Sequence, residues 1–227
     1  MAYVRLKVCG ITNEEDIKIC AQAGVDALGF VVEYPIDVPW NINGLYAKKL
    51  LSLVPPFVTS VLVTGGENKK IIALVRLLKP DCVQIHWRKN PDETKELVDV
   101  TKKEGIKTIQ VLRINTNINE TDSETKEFIA ASKAYASTGI DALLVDAFTE
   151  EKPGGTGISL SFKLLRKIRE NINIPLIIAG GINPSNVKKY IEYVKPFAID
   201  VITGVEKEKG KKDKEKVEEL VKILRRT

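Results

Sequence analysis

Residues 4–16 read VRLKVCGITNEED. Val4, Leu6 and Val8 alternate with Arg5, Lys7 and Cys9, which is the period of a strand. Gly10 ends the run. Thr12 and Asn13 then precede Glu14, Glu15 and Asp16, a capping residue ahead of acids, as at a helix start. The stretch is one strand, one turn and the opening of one helix. The fold depends on whether that unit repeats.

It repeats along the whole chain. Strand candidates fall at residues 4–9, 27–33, 58–64, 82–87, 108–114, 142–147, 176–180 and 198–203. Helix candidates lie between and after them, at about 13–23, 44–53, 68–78, 91–104, 121–137, 159–171, 184–194 and 212–226. Asn183 ahead of Pro184 adds a first-turn proline to the seventh helix. Gly24, Gly105 and Gly139 each stand just past a helix, where a left-handed cap is usual. Eight units in 227 residues average about 28 residues each, close to the size of a complete (β/α)8 barrel. A doubly wound open sheet is the rival, and the regular count favours closure. No linker or composition shift interrupts the series, so residues 1–227 read as a single α/β TIM-barrel domain.

Composition sets the class. Hydrophobic residues make up 44% and charged residues 29%, as in a soluble globular protein. No apolar stretch approaches a membrane span and no signal-peptide pattern precedes Tyr3, so a cytoplasmic location and no membrane partner are expected. Cys9, Cys20 and Cys82 have no metal-ligand spacing and fit free thiols in a reducing compartment. Cys20 and Cys82 read as core residues. The net charge of +5 is modest, and the densest run, EKEKGKKDKEK at 206–216, alternates sign. It reads as a solvated face and helix start, not as a nucleic-acid stripe. A small anionic ligand suits the balance.

Strand parity locates the chemistry. Helices cover the outside of a barrel, so polar strand residues point inward. Lys7 and Cys9 share one parity, as do Gln84 and His86. Asp146 and Asp200 oppose Val145 and Val201. Cys9, His86, Asp146 and Asp200 are therefore expected around the axis, mostly at the C-terminal ends of strands, where barrel enzymes carry their sites. Each also has a plain structural reading. Cys9 suits a core filler, Asp146 a loop cap, Asp200 a partner for Lys7 and His86 a hydrogen-bonded structural histidine.

The loops after the seventh and eighth strands, IIAGGINPSNV and DVITGVE, offer glycines where barrels often bind phosphate. Gly180, Gly181, Thr203 and Gly204 are the candidates. A third cluster, KPGGTG at 152–157, places Gly155 and Gly157 as a lid or as added phosphate contacts.

These segments together resemble one family. KVCGIT, DALGFVVEYP, VQIH, LLVDA, GGTG, IIAGGINPSNV and VKPFAIDVITGVE with GKKD are similar to phosphoribosylanthranilate isomerase of tryptophan biosynthesis, in the family's order and over nearly the whole chain. The resemblance implies a ribulose-phosphate-binding barrel and an Amadori rearrangement of an aminoaldose phosphate. It implies no cofactor and no metal and a small sugar-phosphate substrate. A monomer and a homodimer are both open. It puts the catalytic pair on Cys9 as base and Asp146 as acid, and a substrate contact on Asp200. Gln84 and His86, which parity turns inward, are expected as further substrate contacts. Gly10 is read as leaving room for the sugar.

The resemblance departs at one end. The family's serine-lysine-arginine or serine-proline-arginine segment, whose arginine is expected to grip the anthranilate carboxylate, corresponds here to VEYPIDVPWNING. No Arg or Lys occurs from Glu33 to Tyr46. Arg88 and Arg113 are the candidate replacements, and Trp40 or Trp87 could stack on the ring. The alternatives are a paralogous barrel isomerase acting on another phosphorylated sugar or aminosugar, and a non-catalytic sugar-phosphate binder.

Overall fold

The computed structural model describes residues 3–115, 121–148 and 161–225. The chain alternates strand and helix: β1 (Arg5–Cys9), α1 (Glu14–Ala23), β2 (Ala27–Val32), a short β3 (Asn41–Ile42) and α2 (Gly44–Leu51). Then come β4 (Thr59–Thr64), α3 (Asn68–Leu78), β5 (Cys82–Ile85), α4 (Pro91–Lys103), β6 (Lys107–Asn115) and α5 (Asp122–Ser137). The last part holds β7 (Ala142–Phe148), α6 (Phe162–Asn171), β8 (Leu176–Ala179), α7 (Val187–Val194) and β9 (Ala198–Val201). A two-strand hairpin, β10 (Glu206–Glu208) with β11 (Lys211–Lys212), precedes α8 (Lys214–Arg225).

The large sheet is parallel and runs β1-β9-β8-β7-β6-β5-β4-β2, with β1 paired back to β2. That closes the eight-stranded barrel expected from the repeat and excludes the open sheet. β3 adds to the rim beside β2.

Parity divides the apolar residues into two populations. Leu6, Val8, Leu28, Phe30, Val83, Ile85, Val145 and Ile199 face the helices in the larger core. Cys9, Val61, Val63, Ile109, Val111, Leu144 and Ile177 belong to the smaller cluster inside the barrel. Cys20 is in the helix-facing core, and Cys82 packs, half-buried, with the interior cluster.

Local signals explain most helix ends. The Asn13 side chain accepts a hydrogen bond from the Asp16 backbone N–H, and Gly24 takes the left-handed conformation at φ 84°. Asn90 and Glu93 form a capping box around Pro91. Three starts differ from expectation by two or more residues. Ser161 is the N-cap of α6, which therefore begins at Phe162. Residues Asn183–Asn186 make a turn, in which the Asn183 side chain accepts from Ser185 N, so α7 begins at Val187 and not at Pro184. Lys212 belongs to β11, so α8 begins at Lys214. Among the described residues no helix is long and apolar enough to cross a membrane.

Candidate active site

Strand register brings the polar interior residues together. Lys7 stands beside Asp200 across β1 and β9, and Cys9 beside Gly29 across β1 and β2. Arg113 stands beside Asp146 across β6 and β7. A cleft of about 1040 Å³, open mouth included, lies at the C-terminal ends of these strands. Cys9, Gln84, His86, Asp146 and Asp200 all line it, as parity required, and Arg113 lines it too.

Lys7 and Asp200 form a buried ion pair. Lys7 Nζ donates to both carboxylate oxygens, at 2.9 and 2.8 Å. The structural reading of Asp200 is therefore the observed one, although the residue still borders the cleft. Gly29 makes room for this arrangement. A Cβ there would meet Cys9 Sγ at 2.7 Å and Lys7 Nζ at 2.8 Å. The ammonium thus sits close to the thiol, nearer than a two-residue offset along one strand suggests. Burial pushes the Cys9 thiol up from its ordinary value. Lys7 pulls it down and Asp200 pushes it up further.

Asp146 is held by the other cluster. Its carboxyl is raised to about 6, because burial outweighs the downward pull of Arg113. Arg113 Nε lies 3.8 Å from Asp146 Oδ2, with its guanidinium stacked over Phe148 at 4.1 Å. His86 Nε2 lies 3.5 Å from the same carboxyl oxygen. Burial, Arg113 and Lys7 lower His86 to about 3, so it is a neutral imidazole at physiological pH. Gln84 is buried, and its Oε1 has no protein partner.

The loops after β8 and β9 reach the same cleft. Gly180, Gly181, Thr203 and Gly204 line the cleft. Gly180 takes φ +99°, and a Cβ there would lie 2.5 Å from the Ala147 carbonyl oxygen. A Cβ on Gly204 would collide with the Ile182 carbonyl. Gly155 and Gly157 lie outside the described residues.

Several expectations fail. Arg88 is exposed and does not line the cleft, because it follows the strand end and turns outward. Trp87 packs edge-on against Tyr34 outside the cleft. The space beside Gly10 holds the Trp40 indole, 2.7 Å from a would-be Cβ, rather than open room for a sugar. The EKEKGKKDKEK run is not wholly solvated, since Glu206 and Lys212 are buried and paired at 2.9 Å. Residue-by-residue reading also missed Gly29 and the apolar wall of Tyr34, Ile36 and Val38. The wall's alternation with Pro35 and Asp37 was visible but carries no distinctive chemistry. Among the described residues no three His, Cys, Asp or Glu side chains converge as a metal site needs.

The family model for N-(5'-phosphoribosyl)anthranilate (PRA) isomerase matches residues 6–223. The N-(5'-phosphoribosyl)anthranilate isomerase of Natronomonas pharaonis is 36% identical over 218 residues, covering 96% of each chain. The crystal structure of phosphoribosyl anthranilate isomerase from Thermotoga maritima superposes with a TM-score of 0.82 at 28% identity, covering 99% of this chain and 100% of that one. A crystal structure of phosphoribosyl anthranilate isomerase in complex with reduced 1-(o-carboxyphenylamino)-1-deoxyribulose 5-phosphate superposes at 0.78 and 27% identity, with the same coverage. The match spans every barrel strand and includes both polar clusters of the cleft: this chain belongs to the N-(5'-phosphoribosyl)anthranilate isomerase family.

Proposed function

We propose that the chain isomerises N-(5'-phosphoribosyl)anthranilate to the corresponding 1-amino-1-deoxyribulose 5-phosphate, a step of tryptophan biosynthesis, with Asp146 as acid and Cys9 as base. The observation that carries the residue roles is the convergence of Cys9, Asp146 and the glycine cradle on one cleft.

The chemistry follows the charges. Protonated Asp146 delivers its proton to the ribose ring oxygen. The ring C–O bond breaks as the nitrogen lone pair forms the C=N bond of a Schiff base. The Cys9 thiolate then takes the proton from C2', and the electron pair moves through C1' to nitrogen, giving an enaminol. Proton loss at O2' and gain at C1' complete the aminoketose, with no net gain or loss of atoms. A carboxyl raised to about 6 retains part of its proton near neutrality, which suits an acid. The thiol is the harder group, because burial opposes its ionisation. The Lys7 ammonium is the main charge that favours the thiolate, with Lys212 adding to it. Asp200 anchors that ammonium and borders the sugar.

The rest of the cleft binds. Gly180, Gly181, Thr203 and Gly204 cradle the phosphate with close backbone approach. The unpaired Gln84 Oε1 and the neutral His86 meet sugar hydroxyls. Arg113 takes the anthranilate carboxylate, since it is the cleft-lining arginine among the described residues. Lys70, by contrast, is engaged with the Glu33 carbonyl at 2.9 Å.

The test is turnover. Freshly made phosphoribosylanthranilate mixed with the protein should lose its anthranilate fluorescence, and the gene should restore growth to a tryptophan auxotroph lacking this step. Cys9→Ala and Asp146→Asn should each remove nearly all activity. A fully active Cys9→Ala would refute the base. No turnover at high enzyme, with sugar phosphates still protecting against heat, would favour a binding protein.

A further inference from the structure

We propose that Trp40 is the specificity-determining wall for the substrate's aryl group, and that Glu206, buried with Lys212, is the positioning residue that holds its indole in place. The inference rests on the isomerase reading above and assigns what selects its aromatic end.

Trp40 lies on the segment between β2 and β3 and is only 8% exposed. Its ring edge packs on the backbone of Gly10, the residue after Cys9, while its surface lines the cleft with Tyr34, Ile36 and Val38. That makes a flat apolar wall next to the thiol, suited to an aromatic ring and not to a second sugar.

The indole is tethered as well as packed. Trp40 Nε1 donates to Glu206 Oε1 at 2.7 Å. The same oxygen accepts from Lys212 Nζ at 2.9 Å and from Gly210 N at 3.2 Å. Lys212 is fully buried, and its backbone N–H donates to Asp16 Oδ1 at 3.0 Å. Burying two charges is an expensive way to pack a tryptophan, because the desolvation cost offsets much of the attraction. What the pair supplies is direction: one acceptor, held by Lys212 Nζ and Gly210 N, fixes where the indole N–H points. The tether joins the loop after β2 to the hairpin after β9, so the wall is braced from both sides of Cys9.

The test uses the reduced carboxyphenylamino-deoxyribulose phosphate named above and ribulose 5-phosphate, which lacks the aryl group. The chain has two tryptophans, so Trp87→Phe leaves Trp40 as the sole reporter. The aryl ligand should quench it, and ribulose 5-phosphate should not. Trp40→Leu should weaken aryl-ligand binding about tenfold, the upper range for an aromatic pair, and leave ribulose 5-phosphate unchanged. The charge-neutral double variant Glu206→Leu with Lys212→Met, which removes the acceptor, should weaken aryl binding severalfold when Trp40 is present, and add nothing when Trp40 is Leu. Equal losses for both ligands, or a Glu206 effect that persists without Trp40, would overturn the proposal. If the double variant does not fold, Trp40→Phe keeps a ring but cannot reach Glu206, and wild-type aryl affinity in it refutes the tether. Turnover reports separately. Active enzyme without Trp40-dependent aryl binding sinks this inference alone, and Trp40-dependent binding without turnover sinks the isomerase reading alone.

Discussion

Asp146→Asn should make the protein more stable while abolishing its activity. The carboxyl is raised from 3.8 to about 6 in the folded chain, chiefly by burial. A raised acid costs folding free energy wherever it is ionised, because the unfolded chain ionises more readily. Above pH 6 the full cost applies, and at pH 7 it reaches about 3 kcal/mol. As pH falls through 6 towards 3.8 the folded state binds its proton first, and the cost shrinks to about 1 kcal/mol by pH 4.5. Asn carries no charge and escapes the cost. Its side chain replaces one that is 18% exposed, so solvent screening discounts the figure only modestly. The assay is urea unfolding of wild type and variant between pH 8 and pH 4.5, with thermal midpoints alongside. At pH 8 the variant should gain up to about 3 kcal/mol, roughly 6–12 °C for a domain of this size. The gap should close on acidification. A variant no more stable at pH 8, or a gap indifferent to pH, would show that Asp146 is not held up by its site, and the acid assignment would lose its electrostatic support.

Four further outcomes follow from the same geometry. Catalysis needs Asp146 protonated and Cys9 ionised, so kcat/KM should rise with pH to a limb near 6 and fall only above the thiol's ordinary 9.0. A bell centred below pH 6 would contradict it. Arg113→Gln removes the cation that holds Asp146 down, so the acidic limb should move upward while KM for phosphoribosylanthranilate rises at least about tenfold. Lys7→Met leaves Asp200 buried without its partner and should cost about 3–5 kcal/mol in denaturant unfolding. Adding Asp200→Asn should restore much of that stability but not the rate of Cys9 alkylation by iodoacetamide. Gly180→Ala forces a side chain at φ +99° into the Ala147 carbonyl, so inorganic phosphate should lose its protection against thermal unfolding.

How far the fold was legible depended on how local each signal was. Every barrel strand was visible as a short Val- and Ile-rich run, because helices cover the outer face and demand apolar residues there. Helix ends failed where a polar turn looked like a cap. In NPSNV the Asn183 side chain closes a turn on Ser185 instead of opening the helix. Lys212 read as a helix start because its partner Glu206 lies six residues away across a hairpin.

Sequence alone therefore determined the barrel, its polar interior and the mouth at which Cys9, Asp146 and the glycines meet. Periodicity carries that information: alternate side chains face opposite ways, and the repeat leaves the strands no other closed arrangement. Tertiary structure decided the electrostatics. Only strand register sets Lys7 against Asp200 and Arg113 against Asp146. Burial is the largest cause that raises the carboxyl and opposes the thiolate, with the Asp200 charge adding to both, and desolvation depends on the whole surround and not on neighbours in the chain. The same holds for Trp40 beside Gly10. Its place next to the thiol depends on a charge pair 166 residues further along, which no local pattern announces.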